Sequence, residues 1–389
     1  MSLKQEADAL LRRATDAADV PGVVAMATDG NGTLYEGAFG KRVLGQAAPM
    51  TLDTVVWIAS MTKALTSTAA LQLVERGKLD FESPVSGWVP EIAATEVLEG
   101  FDASGRPRTR APRRPVTLAH LLTHTAGFSY EFWSEAIQKY QKATQAPGIT
   151  SCRNAALRTP LLFDPGERWE YGISIDWVGK AVEAVSGKRL GAYLKENVLS
   201  PLGMSDTAFK ISASMRERLA KIHQRGEDAK LAAIDLEIPQ DPEFEMGGGG
   251  LYGTAGDYLK FVQMILNRGK ARGAQLLKRE TVDMMARKQT GQLRVTPLRS
   301  AMRPLSNDAE FFPGLEKHYS YGFQVNAERA PTGLSAGSLM WAGMANCFYW
   351  IDPAKNIGGV YLTQVLPFAD VKSTPLFMDF QKTVYRSLD

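Results

Sequence analysis

Apolar residues at Leu3, Ala7, Leu10, Leu11, Ala14 and Ala18 recur at three- and four-residue spacing, so the chain opens on an amphipathic helix. Two strand-like runs follow at 22–28 and 33–39, separated by Asp29-Gly30-Asn31-Gly32, a hairpin-turn sequence. Val55-Val56-Trp57-Ile58-Ala59 is short, apolar and β-branched, and reads as a buried strand or strand end. The run 64–74 is apolar almost all round, which predicts a buried helix, and Gly77 offers its stop. Helical spacing recurs over 117–124, 175–185 and 190–198. Thr254-Ala255-Gly256-Asp257 reads as a capping box that opens a helix to residue 266. Runs rich in β-formers then occupy 319–325, 338–341, 347–351 and 358–363, and a last helix is expected over 372–388.

The order is strands, then helices, then strands. The simplest packing is one antiparallel sheet built from both chain ends and flanked by helices, with a helical lobe inserted between them. The fold class is therefore α+β. Residues 1–62 and 241–389 are expected to form the sheet lobe, 63–240 the mostly helical lobe, and the site is expected between the two.

The chemistry concentrates where the apolar strand end meets the buried helix, at Ser60-Met61-Thr62-Lys63. Residues three apart on a helix share a face, so Ser60 and Lys63 reach each other. A serine beside a lysine that burial can neutralise is an activated nucleophile. Ser60 at a helix start also offers its own N–H to a developing oxyanion.

Further motifs follow in order: Leu121-Leu-Thr-His-Thr-Ala-Gly127, Pro165-Gly-Glu-Arg-Trp-Glu-Tyr171, Gly248-Gly-Gly-Leu-Tyr-Gly-Thr254 and Trp341-Ala-Gly343. With Ser-x-x-Lys they make the chain resemble the serine β-lactamase and penicillin-binding-protein superfamily, in its class C-like esterase branch, the family VIII carboxylesterases. The resemblance runs from about residue 20 to the end of the chain. It implies a β-lactamase/transpeptidase-like fold and a covalent acyl-enzyme on Ser60. Lys63 is assigned to activating Ser60 and Tyr171 to proton relay with the leaving alcohol and incoming water, with either residue a candidate for taking the first proton; the resemblance implies the N–H of Met344 as second oxyanion donor. Gly343 would let substrate approach the backbone, and Trp341 and Tyr130 are candidates for the pocket wall.

Two positions depart from the lactamase pattern. Ile173 stands where class C enzymes carry an asparagine, and Trp341 where they carry a lysine for the lactam carboxylate. Both argue against efficient lactam hydrolysis. The expected activity is hydrolysis of carboxylic esters, and the resemblance implies short or medium acyl chains. A weak β-lactamase or D-Ala peptidase, an acyltransferase, and a non-catalytic acyl or lactam sensor are the alternatives.

Other motifs read as structural. Gly333-Leu-Ser335-Ala-Gly337 matches a nucleophile elbow, but no histidine follows it in the chain, so Ser335 reads as a loop serine. The glycines from Gly248 lack the strand before and the acid after that a dinucleotide site needs. His120 and His124 have metal-helix spacing without the glutamate of a zinc protease, and read as satisfied helix histidines. The five arginines from Arg106 to Arg114 read as a solvated loop, with an anion-binding or subunit-contact loop as the other possibility.

Composition adds bounds. The 389 residues are 44% hydrophobic and 22% charged, with a formal net charge of +3, which makes no case for nucleic-acid binding. No run approaches the roughly 18 apolar residues of a membrane span. The acidic residues near the start do not suit a signal peptide, and two cysteines make no disulfide framework. The expectation is a cytoplasmic protein with a small-molecule ester substrate, no membrane or nucleic-acid partner, no metal or cofactor, and a possible homo-oligomeric state.

Overall fold

The computed structural model describes residues 2–388. Helix α1 (Leu3–Asp16) is capped by Ser2, and its buried stripe includes Ala7, Leu11 and Ala14. Strands β1 (Gly22–Asp29) and β2 (Thr33–Gly40) form the expected hairpin. Asp29 closes its turn by accepting the N–H groups of Asn31 and Gly32. The apolar run at 55–59 is a strand for only two residues, β3 (Val56–Trp57), before a single 3₁₀ turn at Ala59–Met61 leads into helix α2 (Thr62–Glu75). All of α2 from Thr62 to Leu73 is buried, as its all-round apolar pattern requires. Gly77 takes a positive φ of 66° past its end.

The chain then forms α3 (Leu118–Leu122), α4 (Glu135–Thr144) and α5 (Ser174–Ser186). A two-residue strand, β4 (Tyr252–Gly253), pairs with β3 and precedes α6 (Ala255–Leu266). Five further strands complete the main sheet: β5 (Lys317–Tyr319), β6 (Gln324–Asn326), β7 (Leu339–Gly343), β8 (Cys347–Asp352) and β9 (Ile357–Leu362). Helix α7 (Ser373–Arg386) closes the described chain. The sheet order is β5-β6-β7-β8-β9-β1-β2, antiparallel throughout, so the two chain ends meet as expected at the β9–β1 pair.

Helices cover both faces, so the central strands are continuous apolar runs instead of alternating ones. On β8, Phe348 stacks on Phe377 of α7 at 4.4 Å, while Tyr349 faces Tyr258 of α6 at 5.0 Å between ring centroids. Two glycines in β9 make room for this. A Cβ on Gly358 would lie 2.4 Å from Val262, and one on Gly359 2.2 Å from the Trp350 ring.

Three expectations are corrected, and one helix is added. Residues 319–325 are not one strand but the hairpin β5–β6, turning at Ser320, which donates to Phe323 O and accepts from Phe323 N. Thr254 does cap α6, but Asp257 does not return the bond. It accepts instead from Asp206 N and Thr207 Oγ1. The arginine-rich stretch is no free loop: Pro107–Arg110 pairs with Val97–Phe101, and Arg110 grips the buried Asp164 through bonds of 2.9 and 2.7 Å. Helix α4 was not foreseen, although Ser134 caps it through the Ile137 N–H.

The glycine pair generates a stability prediction. Gly359→Ala is expected to destabilise the fold by about 1–3 kcal/mol through overpacking against Trp350. Gly32→Ala, where an added Cβ meets nothing within 4 Å, is expected to be close to neutral. Denaturant midpoints for the two variants check this, and equal midpoints would contradict the packing argument.

Candidate active site

Backbone strain sets the nucleophile. Ala59 holds a φ of +46°, a left-handed conformation that alanine rarely adopts, and it turns the chain from β3 into the Ser60 turn. The turn is pinned from several sides. Trp57 Nε1 donates to Gly249 O at 2.7 Å, Tyr258 OH donates to Met61 O at 2.9 Å, and Thr62 Oγ1 accepts from Leu251 N. Gly343 presses directly on it, since a Cβ there would come within 2.3 Å of Ile58 O. That glycine is required by packing of β7 against the nucleophile segment, a tighter reason than substrate approach.

Lys63 is 1% exposed. Its Nζ contacts Ser60 Oγ at 3.2 Å, Tyr130 OH at 2.9 Å and Gly248 O at 2.6 Å. It also lies 4.7 Å from the centre of the Tyr171 ring. Tyr171 OH accepts a hydrogen bond from Trp341 Nε1 at 3.0 Å. Ser60, Tyr171, Trp341, Gly343 and Met344 all line one pocket. Its remaining walls are apolar: Trp133, Leu298, Phe311 and Phe368 are among them. Met344 follows β7 in a tight turn, and its N–H donates to no group among the described residues. Tyr130 does not line this pocket. It stands behind Lys63, stacked on Phe132 at 4.7 Å.

The glycine-rich stretch is part of this arrangement: Gly247 O accepts from Thr66 and Gly248 O from Lys63. Burial, and then the charge of the neighbouring Asp176, holds the Tyr130 phenol well above its usual range. Burial also pushes the Asp176 carboxyl up to about 6, against the opposing pull of Lys63. His124 departs from its sequence reading. It lies past the end of α3 at a φ of +58°, and neither ring nitrogen has a partner. Burial and then Lys63 hold it neutral, with its ring 5.0 Å from that of Tyr171. His120 does fit its reading: its Nδ1 meets Thr117 at the start of α3. Ser335 sits in the β6–β7 loop, where its N–H donates to Asp352.

Three features were missed in the sequence. The Trp341 indole acts as a donor to Tyr171 as well as a wall. Asp176 lies under Gly248, donated to by its N–H at 2.8 Å. Leu298 and Phe311 reach the pocket from an irregular stretch whose pattern signals no element.

The antiparallel sheet with flanking helices, and the Ser-x-x-Lys turn packed against β7, define a β-lactamase/transpeptidase-like serine hydrolase fold. The chain belongs to the beta-lactamase family, whose model matches residues 7–380. It is 32% identical over 406 aligned positions to monacolin J acid methylbutanoyltransferase of Aspergillus terreus, covering 96% of this chain and 94% of that protein. It is 33% identical to the lovastatin esterase of Penicillium rubens, covering 97% and 98%. A mutant simvastatin synthase from Aspergillus terreus superposes with a TM-score of 0.86 at 32% identity, covering 98% and 96%. No helix among the described residues is long and apolar enough to cross a membrane.

The Trp341–Tyr171 bond yields a test. Trp341→Phe keeps a flat wall and removes the donor. If the Tyr171 oxygen gains negative charge during turnover, kcat should fall about ten- to hundredfold, the scale of a hydrogen bond to a charged group. A raised KM at unchanged kcat would reduce Trp341 to a wall.

Proposed function

We propose that the protein transfers acyl groups through an ester on Ser60, with an alcohol as acceptor and water as its competitor. The observation that carries this is the contact set of Lys63. A neutral amine has two N–H groups and one lone pair. With the N–H groups engaged by Gly248 O and Tyr130 OH, the lone pair faces Ser60 Oγ at 3.2 Å. Ser60 then attacks the acyl carbonyl as Lys63 takes its proton. The N–H groups of Ser60 and Met344 receive the oxyanion, each donor being worth about 3–4 kcal/mol at such sites. Tyr171 passes a proton to the leaving group and removes one from the acceptor, while the Trp341 N–H steadies its oxygen.

Ester hydrolysis, the first expectation from the sequence, becomes the competing outcome. The apolar walls around Ser60 favour a lipophilic acceptor over water. The relatives support both directions, one named for methylbutanoyl transfer and one for lovastatin cleavage. A methylbutanoyl-sized acyl group agrees with the short or medium acyl chain expected from sequence. Lactam hydrolysis is disfavoured because position 341 supplies no ammonium, and its indole N–H is already engaged by Tyr171.

The test is product partitioning from p-nitrophenyl butyrate with and without a lipophilic alcohol. The expected result is a new butyrate ester formed at the expense of free butyrate, and loss of both products by about 10³-fold or more in Ser60→Ala. Free butyrate alone at every alcohol concentration would restore the esterase reading. Full activity in a folded Ser60→Ala would refute the nucleophile.

A further inference from the structure

We propose that Asp176 is a positioning residue for the Ser60–Lys63 pair, acting through the Gly248 peptide and the Tyr130 hydroxyl; this rests on the acyl-enzyme reading above. Asp176 lies in the first turn of α5 and is wholly buried. Its Oδ1 accepts the Gly248 N–H at 2.8 Å, and the Gly248 carbonyl accepts from Lys63 at 2.6 Å. Residue 248 is therefore held at both ends, by the carboxylate on one side and the lysine on the other.

The second oxygen carries the argument further. Asp176 Oδ2 is buried with no hydrogen-bond partner, a costly state for a carboxylate. A Cβ on Gly248 would lie 2.6 Å from that oxygen and 3.0 Å from Tyr130 OH. Both atoms thus face one gap, which the missing side chain of Gly248 keeps open. The φ of Gly248 is not positive, so conformation does not demand glycine there and the gap does.

Proton accounting gives the gap its purpose. Lys63 donates to the Tyr130 oxygen, so the phenol's own proton must point to another acceptor. Asp176 Oδ2 is the unpartnered acceptor on that side. A Tyr130 hydroxyl turned toward Asp176 keeps its lone pairs for Lys63, which leaves the Lys63 lone pair for Ser60. The titratable groups facing Asp176 are Lys63 across Gly248, Tyr130, Glu131 and Cys152.

The experiment measures the rate of Ser60 labelling by an alkyl fluorophosphonate across pH. The proteins are wild type, Asp176→Asn, Tyr130→Phe and the double variant. Asp176→Asn keeps the shape but turns an N–H toward the Tyr130 hydroxyl. Labelling is expected to fall about tenfold or more, because the Tyr130 hydroxyl then has no carboxylate to turn toward and competes for the Lys63 lone pair. The pH at which labelling rises should move lower, because a negative charge that favours protonation of its neighbours is gone. The double variant should be no slower than the slower single one. A folded Asp176→Asn with the wild-type rate and pH profile would overturn the proposal, as would additive losses in the double variant. If Asp176→Asn does not fold, Tyr130→Phe decides alone: wild-type labelling overturns the proposal, and a tenfold loss supports it. A purely structural Asp176 would lower the melting temperature without moving the pH profile. No label on Ser60 in wild type would refute the acyl-enzyme reading, and this proposal with it.

Discussion

The structure depends on holding one buried lysine nitrogen in place. Lys63 Nζ has no solvent to share its protons, so protein atoms must satisfy it. One is Ser60, one helical turn back; the other two come from distant parts of the chain, Tyr130 beyond α3 and the Gly248 carbonyl before β4. Much of the neighbouring architecture serves that convergence. The strained Ala59 aims the turn, the buried α2 carries the lysine, and Gly343 lets β7 close on Ile58.

A second constraint shapes selectivity. Where lactam-cleaving relatives of this fold class carry a lysine, this chain places an indole whose N–H is committed to Tyr171. Among the described residues, those lining the pocket include no lysine or arginine, and its apolar walls include Trp133, Leu298, Phe311 and Phe368. Such a pocket is suited to neutral acyl groups and lipophilic alcohols. On the proposed mechanism, the choice between water and alcohol is a matter of which reaches the acyl-enzyme, because the chemistry proposed at Ser60 is common to both.

Local signals made much of this legible in the sequence. The 3.6-residue period found α1 and α7, and the all-apolar run found α2. The order of the motifs named the residues that the structure brings together around Ser60. What escaped depended on contacts between distant segments. Nothing local says that Tyr130 turns behind Lys63 instead of lining the pocket, or that Asp176 lies under Gly248. The turn at Ser320 was hidden because 319–325 is rich in β-formers on both sides of it. His124 looked like part of a helix because its neighbours are helical, yet its backbone is left-handed and its ring is sealed among Tyr171, Tyr319 and Trp169. Leu298 and Phe311 lie in a stretch with no period at all, so only the fold could show that it reaches the site.

The proposed reaction passes through a covalent acyl-enzyme on Ser60. Rapid quenching during turnover of a butyrate ester, followed by intact-mass and peptide mass spectrometry, would capture it. The expected result is a single butyryl adduct on the peptide that carries Ser60. An adduct mapped to any other residue, Ser335 included, or full turnover with no adduct on quenching, would contradict it.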